Sequence, residues 1–233
     1  ALGLVLAFGH RSVAAVIGHD AGSPLAGWCA VTRPDIFPAV VMMSAPFGGT
    51  PTLPFDTADA PPRIPTPNRQ SIYDDLAALP RPRKHYQRYY TTRGANENMW
   101  HASQGIHDFI RGYYHFKSAD WEGNTPYRLA ARTAEEWAKM PNYYIMQLNQ
   151  GMAETVADVM PSAAHIAANT WLPDSALRVY AEEYGRTSFQ GGLNGYRMGG
   201  SRVGAEEVQL YAGRTIDQPS MFISGASDWG TYQ

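Results

Sequence analysis

The first fifty residues alternate between short apolar runs and polar or glycine-rich breaks. The run 13–17 has the length and β-branched content of a buried parallel strand, and residues 39–43 form a second run of this kind. Residues 23–32 lie between them and carry larger apolar side chains at three- and four-residue spacing, which predicts a helix with that face buried. These side chains are Leu25, Trp28 and Cys29. Strand, helix and strand together predict a parallel βαβ unit with a right-handed crossover.

The middle of the chain is patterned for helices. The segment 84–200 is rich in aromatic residues, and proline and glycine divide it into helical stretches. The strongest of these stretches are 102–116, 130–140, 143–159 and 175–184. Residues 49–83 precede this segment and are rich in Pro, Thr and Asp, which predicts a linker with two helical turns at 72–79. A helix at 205–212 and a buried strand at 220–224 end the pattern.

This order of elements predicts an α/β fold that contains a helical insertion. We assign 1–48 and 201–233 to the two parts of an α/β core, 49–83 to the linker, and 84–200 to a helical lid, or cap. The apolar opening segment is too short to span a bilayer, and no basic segment precedes it. It is expected to be the end of an interior helix that stops at Gly9, so we expect the chain to be a fragment.

The composition limits the partners and the compartment. The net charge of -2 gives no electrostatic basis for binding nucleic acid or a membrane surface. Cys29 is the single cysteine, which excludes an internal disulfide and agrees with a cytoplasmic location. The sequence has no metal-ligand cluster, phosphate-binding loop or cofactor motif, and we therefore predict no cofactor and no metal.

The candidate nucleophile is Asp20. It follows the first predicted strand in the pattern Gly18-His19-Asp20-Ala21-Gly22. Glycines at this spacing allow a sharp strand-to-helix turn that lifts the central side chain above the sheet. A carboxylate there needs no deprotonation and can displace a leaving group from a saturated carbon, which gives an ester that water must cleave. The alternative interpretation is an aspartate that caps a helix after a strand.

Four stretches, in order along the chain, resemble the epoxide hydrolases of the α/β-hydrolase superfamily. They are 18–22 with Asp20 at its centre, Tyr86-Gln87 within 85–90, 189–197 with Tyr196, and 222–228 ending in Asp228. The chain departs from the family pattern at Ala21, where an aromatic residue is usual, and at Gly195, where tryptophan is usual. The resemblance covers nearly the whole chain and implies a partial α/β-hydrolase core with a nucleophile elbow and an inserted helical lid.

The resemblance also implies a mechanism. Asp20 would attack an epoxide carbon, while Tyr86 and Tyr196 donate hydrogen bonds to the ring oxygen and protonate it as the ring opens. The Ala21 N–H would stabilise the oxyanion formed when the ester is cleaved, and Asp228 would hold the histidine that activates water. The expected partners are a small apolar epoxide and water, and the product is a vicinal diol.

Two parts of the family's site have no equivalent in this sequence. One is the His-Gly-x-Pro loop, and the other is the histidine that follows the acid of the triad. The five residues after Asp228 contain no histidine, and we assign the role to none of the seven histidines of the chain. We therefore expect an internal piece of a larger enzyme that does not turn over substrate by itself. Multiple-turnover diol formation by the chain alone would contradict this expectation.

Two other functions fit the same residues. A haloalkane or haloacid dehalogenase of this fold also uses an aspartate nucleophile, and it would hold the departing halide with indole or imidazole donors. The predicted lid contains Trp100, Trp121, Trp137 and Trp171. A noncatalytic ligand-binding or interaction module is the second alternative, and the departures at Ala21 and Gly195 favour it. The tyrosine pair favours epoxide opening.

Overall fold

The structure is a computed structural model, and it describes residues 1–53, 55, 69–199, 201 and 204–232. Most of the proline-rich part of the predicted linker lies outside the described residues. The chain divides into two compact units. The core unit comprises Ala1–Ile64 and Val203–Gln233, and the cap unit comprises Pro65–Arg202.

The described residues form twelve α-helices, five strands and one short 3₁₀ helix. In chain order they are α1 (Leu2–Ala7), β1 (Val16–His19), α2 (Gly22–Thr32), β2 (Val40–Met43), α3 (Arg69–Ala78), β3 (Arg83–His85), α4 (Tyr86–Tyr90), α5 (Gly94–Trp100), α6 (Ile106–Lys117), α7 (Ala134–Trp137), β4 (Ile145–Gln147), α8 (Met152–Ala157), α9 (Ala163–Ala168), α10 (Asp174–Thr187), α11 (Gln190–Gly199), α12 (Ala205–Gln209), β5 (Ser220–Ile223) and the 3₁₀ helix Trp229–Thr231.

The core unit contains a three-stranded parallel sheet in the order β1-β2-β5. Val16 of β1 lies opposite Val40 of β2, which lies opposite Ser220 of β5. Helix α2 connects β1 to β2 and packs on the sheet, as the predicted βαβ unit requires. The strands predicted at 39–43 and 220–224 are confirmed, and the first strand begins three residues later than predicted and continues to His19.

Small residues form the buried face of α2. Ala26 and Ala30 pack against Val40 of the neighbouring strand, and Gly27 lies so close to Phe47 that a Cβ on it would overlap that ring. The prediction that Leu25 lies on the buried face is wrong, because its side chain is 61% exposed. A stripe of small residues allows the helix to approach the sheet closely, and larger apolar side chains at the same spacing do not indicate which face is buried.

Strand β5 differs from its prediction in burial. All four of its residues are exposed in the described structure, although the apolar run predicts a buried strand. Helix α1 is also exposed along most of its length, with Val5 as its buried residue, and Gly9 follows it with φ +74° as the predicted stop requires. Val5 packs against Ile36 and Phe37.

The cap unit is mainly helical and contains one antiparallel strand pair that the sequence pattern did not predict. His85 of β3 lies opposite Ile145 of β4, so the helix predicted over 143–159 is wrong in its first part. Ile145 and its neighbour Met146 are fully buried. Pairing with β3 satisfies the backbone of this segment, and α8 begins only after Gly151.

The helices predicted at 72–79, 102–116 and 175–184 are confirmed with changed ends. The helix predicted at 175–184 is α10, and the one at 72–79 is α3. Helix α6 begins at Ile106 instead of 102, because Gly105 adopts φ +79° immediately before it. The pattern at 130–140 contains only the single turn α7.

Candidate active site

Asp20 lies at the end of β1 in a left-handed backbone conformation. Its φ is +50°, and it is one of three non-glycine residues with positive φ among those the structure describes. Asparagine and aspartate tolerate this region better than most residues, but a cost of about 1 kcal/mol or more remains. The Asp20 side chain is exposed, and the residue ends the strand immediately before α2. A strained acidic residue at this turn is the geometry that the elbow pattern predicts.

Gly18 is required by the close approach of the chain to itself. A Cβ at this position would overlap the Gly22 carbonyl oxygen and would lie 2.8 Å from the Ser23 nitrogen. Gly22 differs, because a Cβ placed there would have no atom within 4 Å. The prediction that both glycines provide space is therefore wrong for Gly22, whose own carbonyl is the group that approaches Gly18.

Ser23 ties the turn around Asp20 to the adjacent strand. Its side chain is completely buried, and its Oγ lies 2.9 Å from the carbonyl oxygens of Gly18 and Met43. The Met43 N–H donates to this Oγ at 2.8 Å, and the Asp20 N–H donates to the Met43 carbonyl at 2.9 Å. Two residues of the turn, Asp20 and Ser23, are thus tied to Met43 at the end of β2. Ser23 was not predicted from the sequence, and a serine in the first turn of a helix otherwise packed with Ala and Gly is the feature that could have indicated it.

The Ala21 N–H lies next to the Asp20 carboxylate in the chain. Among the described residues it donates to no backbone carbonyl. Ala21 precedes the first residue of α2, where backbone N–H groups and the helix dipole favour negative charge. Its position fits the predicted role as a donor to an oxyanion.

Asp228 follows β5 in the turn before the 3₁₀ helix. Its Oδ1 accepts a hydrogen bond from the Gly230 N–H at 2.8 Å, so one carboxylate oxygen has a capping role. Asp20 follows β1 and Asp228 follows β5, with β2 between the two strands. Strands two positions apart in a sheet are separated by about 10 Å. Both acidic residues therefore belong to the carboxyl edge of one parallel sheet.

The histidine next to the nucleophile has a partner on the adjacent strand. His19 Nε2 lies 3.2 Å from the Ser44 Oγ, and Ser44 follows β2 with φ +64°. His85 caps α4 by accepting from the Gln87 N–H at 3.2 Å. Both histidines have local structural contacts, and neither is assigned to the activation of water.

The two predicted lid tyrosines are in contact within the cap unit. The ring centroids of Tyr86 and Tyr196 lie 6.0 Å apart in an edge-to-face arrangement. Tyr86 is the first residue of α4, and Tyr196 lies on α11, far away in the sequence. The Gln87 amide donates to the Tyr86 hydroxyl at 3.4 Å. The sequence resemblance therefore selected two of the fourteen tyrosines that the fold brings together.

Arg197 holds α11 against the end of α4. Its guanidinium donates to the carbonyl oxygens of Thr91 and Thr92 at 3.4 Å and 3.0 Å. These carbonyls lie just beyond α4, where a cation is favoured by the helix dipole. Arg197 is adjacent to Tyr196, so this contact positions the second tyrosine. This role of Arg197 was not predicted from the sequence.

Tyr90 is a third tyrosine of the same cluster. Its ring centroid lies 5.4 Å from that of Tyr86 and 5.0 Å from that of Tyr196. It is buried, and its hydroxyl lies 3.0 Å from the hydroxyl of Tyr113. Burial raises the pKa of Tyr90 well above its ordinary value, and Tyr113 raises it further. The spacing of four residues from Tyr86, one helical turn, is the sequence feature that could have indicated it.

The cap unit also contains a cavity of about 210 Å³, which we call the cap cavity. Its wall is largely aromatic and includes Tyr90, Tyr113, Phe189, Leu193 and Tyr196. The predicted proton donor Tyr196 therefore borders an apolar space large enough for a ligand.

In the part of the chain that the structure describes, no group of three or more His, Cys, Asp and Glu residues could hold a metal ion. None of the helices in the described ranges has the length and apolar character needed to cross a bilayer.

The parallel sheet, the strained acidic turn and the helical insertion define the α/β-hydrolase fold, as a partial core with an inserted cap. Comparison with solved structures agrees. An epoxide hydrolase from an endophytic Streptomyces is similar over 98% of this chain and 56% of its own, with a TM-score of 0.63 and 27% identity. Potato (Solanum tuberosum) epoxide hydrolase I is similar over 100% of this chain and 58% of its own, with a TM-score of 0.59 and 19% identity.

Sequence comparison gives a shorter match. Epoxide hydrolase A of Mycobacterium tuberculosis is 39% identical over 71 residues, which are 30% of this chain and 21% of that protein. No protein-family model matches the chain. The chain thus spans little more than half the length of the solved epoxide hydrolases and a fifth of this relative. The predicted fold class and the resemblance to epoxide hydrolases are confirmed.

Proposed function

We propose that this chain carries the nucleophile and the oxygen-protonating tyrosines of an enzyme that opens epoxides. The observation that carries the proposal is the ring contact between Tyr86 and Tyr196. Two phenols on separate helices that meet at one point can both donate to one oxygen. A phenol stays protonated at neutral pH and gains most from an acceptor on which negative charge develops, such as the oxygen of an opening epoxide.

The first step forms an ester. An Asp20 carboxylate oxygen bonds to one epoxide carbon, the bond from that carbon to the ring oxygen breaks, and its electron pair goes to the oxygen. That oxygen takes a proton from Tyr86 or Tyr196, and water restores the tyrosine proton. The turn supports Asp20 as the nucleophile because its left-handed conformation, the packing of Gly18 and the Ser23 hydrogen bonds fix its backbone.

The second step hydrolyses the ester. A base takes one proton from a water molecule as its oxygen adds to the Asp20 carbonyl carbon, and the Ala21 N–H stabilises the oxyanion. Collapse breaks the bond to the substrate oxygen, which takes that proton and leaves as a vicinal diol, and the restored carboxyl group loses its own proton to solvent. Asp228 would orient the base for this step through the carboxylate oxygen that does not cap Gly230. We assign no histidine of this chain as that base. The expected substrate is a small apolar epoxide, and the expected co-substrate is water.

The first step can be tested by mass spectrometry. The chain is incubated with styrene oxide and digested, and a mass increase equal to one substrate molecule is expected on Asp20. Asp20→Asn should abolish the adduct, whereas Asp35→Asn, at an exposed aspartate of the same unit, should not change it. An unmodified Asp20 under conditions where styrene oxide binds would favour a noncatalytic module.

The tyrosines are tested on the same adduct. Tyr86→Phe and Tyr196→Phe should each slow its formation about a hundredfold, because a donor to the developing oxyanion is lost. Tyr180→Phe is the matched control, since Tyr180 is an exposed cap tyrosine. Equal rates in all three variants would remove the tyrosines from the mechanism.

A bromoalkane assayed in parallel distinguishes the dehalogenase alternative. Two of the four cap tryptophans already donate their indole N–H within the protein: Trp100 to the Gly185 carbonyl at 3.0 Å and Trp171 to Asp120 at 2.8 Å. These donors are therefore engaged in structural contacts, and we expect epoxide opening without halide release. Halide release from the bromoalkane, with no modification of Asp20 by the epoxide, would favour the dehalogenase instead.

A further inference from the structure

The largely aromatic wall of the cap cavity includes a hydrogen-bonded pair of hydroxyl groups. The hydroxyl groups of Tyr90 and Tyr113 lie 3.0 Å apart, and both residues line the cavity. Two hydroxyls carry two hydrogens, and the bond between them uses one. Among the described residues, no third group accepts the other hydrogen. The pair can therefore donate one further hydrogen bond, and an acceptor inside the cavity is the partner that the geometry allows.

The size of the cavity sets the kind of group that fits. An apolar cavity of about 150 Å³ accepts a benzene ring. The cap cavity, at about 210 Å³, has room for a ring with a short substituent. Phe109 and Phe189 meet edge-to-face in its wall, with centroids 5.7 Å apart. Such a wall favours a flat apolar group.

Tyr90 connects the cavity to the proposed reaction centre. Its ring lies against both Tyr86 and Tyr196, and Tyr196 itself lines the cavity. A substituent held in the cavity would therefore extend from an oxygen bound by the two proton donors. Burial keeps the Tyr90 hydroxyl protonated because its pKa is raised. It is a neutral donor over the whole physiological range.

We propose that the cap cavity binds the substituent of the substrate and that the Tyr90–Tyr113 hydroxyl pair selects substituents carrying a hydrogen-bond acceptor. The favoured class is an aryl group bearing a carbonyl or ether oxygen. This proposal rests on the proposed function, because it is the role of Tyr196 that places the cavity beside the epoxide. Tyr90 and Tyr113 are specificity-determining residues and take no part in the ring opening.

The test measures binding without turnover. Asp20→Asn is used as the background, and the ligands are para-ethylacetophenone and para-ethylcumene, which have similar shapes and differ by the carbonyl oxygen. Isothermal titration should show the ketone binding about tenfold more tightly, the effect of one buried hydrogen bond. Either hydroxyl of the pair can be the one that donates to the ligand. At least one of Tyr90→Phe and Tyr113→Phe should therefore reduce this ratio to about one, because it removes that donor while keeping the ring.

Tyr180→Phe is again the matched control and should keep the tenfold ratio. Equal affinity for the two ligands, or a ratio that survives in both cavity variants, overturns the proposal. The outcome is independent of the chemistry of Asp20. If the ketone preference is found and Asp20 is never alkylated, the proposed reaction fails and the binding site stands. If Asp20 is alkylated and the ketone preference is absent, the proposed reaction stands and the proposed binding site fails.

Discussion

The Gly22 carbonyl oxygen occupies the space that a side chain on Gly18 would need. The contact joins the end of β1 to the first residue of α2, with Asp20 between them in a left-handed conformation. A side chain at Gly18 would push this carbonyl away and open the turn. The exposed carboxylate would then lose the backbone geometry on which its proposed role depends.

Gly18→Ala should therefore destabilise the core unit and abolish alkylation of Asp20. Overlap with backbone atoms cannot be relieved by a rotamer change, and we expect a loss of about 3 kcal/mol in the free energy of unfolding. Denaturant unfolding followed by circular dichroism measures this value. Gly22→Ala is the matched control, because a Cβ there meets no atom within 4 Å, and it should cost much less. Equal losses in the two variants would contradict the steric account.

Ser23 is expected to contribute stability through its buried hydroxyl. Ser23→Ala leaves the Met43 N–H without its acceptor at the end of β2, and a buried unpaired donor costs about 1–3 kcal/mol. The same variant should slow alkylation of Asp20, since the turn is no longer tied to the sheet. Ser103→Ala, at an exposed serine, should change the free energy of unfolding by less than about 0.5 kcal/mol. A Ser23 variant as stable as this control would show that the hydrogen bonds add nothing.

The strand, turn and helix around Asp20 could be predicted because the pattern that forms them is local. The pattern around Asp20 lies within five residues, and strand, turn and helix all follow from neighbours in the chain. The pairing of β3 with β4 could not be predicted in this way. Ile145 and Met146 fit a helical pattern equally well, and only contact with residues 83–85, distant in the chain, decides for a strand.

Tyr86 and Tyr196 show the same difference between features set by neighbouring residues and features set by the whole fold. A resemblance in short motifs identified Tyr86 and Tyr196, but their contact depends on Arg197 and on the fold of the whole cap unit. The one-turn spacing from Tyr86 could have indicated Tyr90, but nothing in the sequence distinguishes Tyr113 from the other tyrosines of the cap or pairs it with Tyr90. Their hydroxyl contact exists only once α4 and α6 pack together.

Arg197 is predicted to be a positioning residue for Tyr196. Arg197→Met removes the hydrogen bonds to Thr91 and Thr92 and should slow alkylation of Asp20 about tenfold, because Tyr196, the proposed proton donor, is held less accurately. Arg197→Lys should recover part of the rate through a single charged donor. Arg186→Met, at an exposed arginine of α10, is the control and should have no effect. If alkylation of Asp20 is slow in both the Met and the Lys variants while para-ethylacetophenone binds as before, the effect still lies in proton donation. If alkylation proceeds at the normal rate in Arg197→Met, Arg197 does not position Tyr196.

Two helical glycines of the cap should respond in opposite directions to alanine. A Cβ on Gly195 would have no atom within 4 Å, so Gly195→Ala should stabilise α11 by about 0.5–1 kcal/mol through backbone entropy. Gly112 lies against Val156 and Met160, and a Cβ there would approach the Val156 Cγ1 to 2.7 Å. Gly112→Ala should therefore destabilise the cap. Thermal unfolding of both variants checks the signs, and stabilisation by both would contradict the packing at Gly112.

His115 should make the stability of the cap depend on pH. It is buried on α6 and stacks on His165 with ring centroids 5.3 Å apart, and its pKa is lowered by burial first and by His165 second, while Asp120 opposes the shift. A histidine with a lowered pKa binds its proton more weakly in the folded state than in the unfolded state. Its contribution is present above the ordinary histidine pKa of about 6.5 and is lost as pH falls through the lowered value.

The cap should therefore unfold more easily at pH about 5 than at pH about 7, by an amount that His115→Phe reduces. Phenylalanine keeps a ring in the buried site and cannot take up a proton. His101→Gln is the control, because His101 is exposed at the end of α5 and forms a salt bridge with Glu97 of that helix. Denaturant unfolding at the two pH values gives the difference for each variant. His115→Phe removes protonation of the buried ring. If the free energy of unfolding depends on pH equally in His115→Phe, in His101→Gln and in the unaltered chain, the acid sensitivity arises from another group.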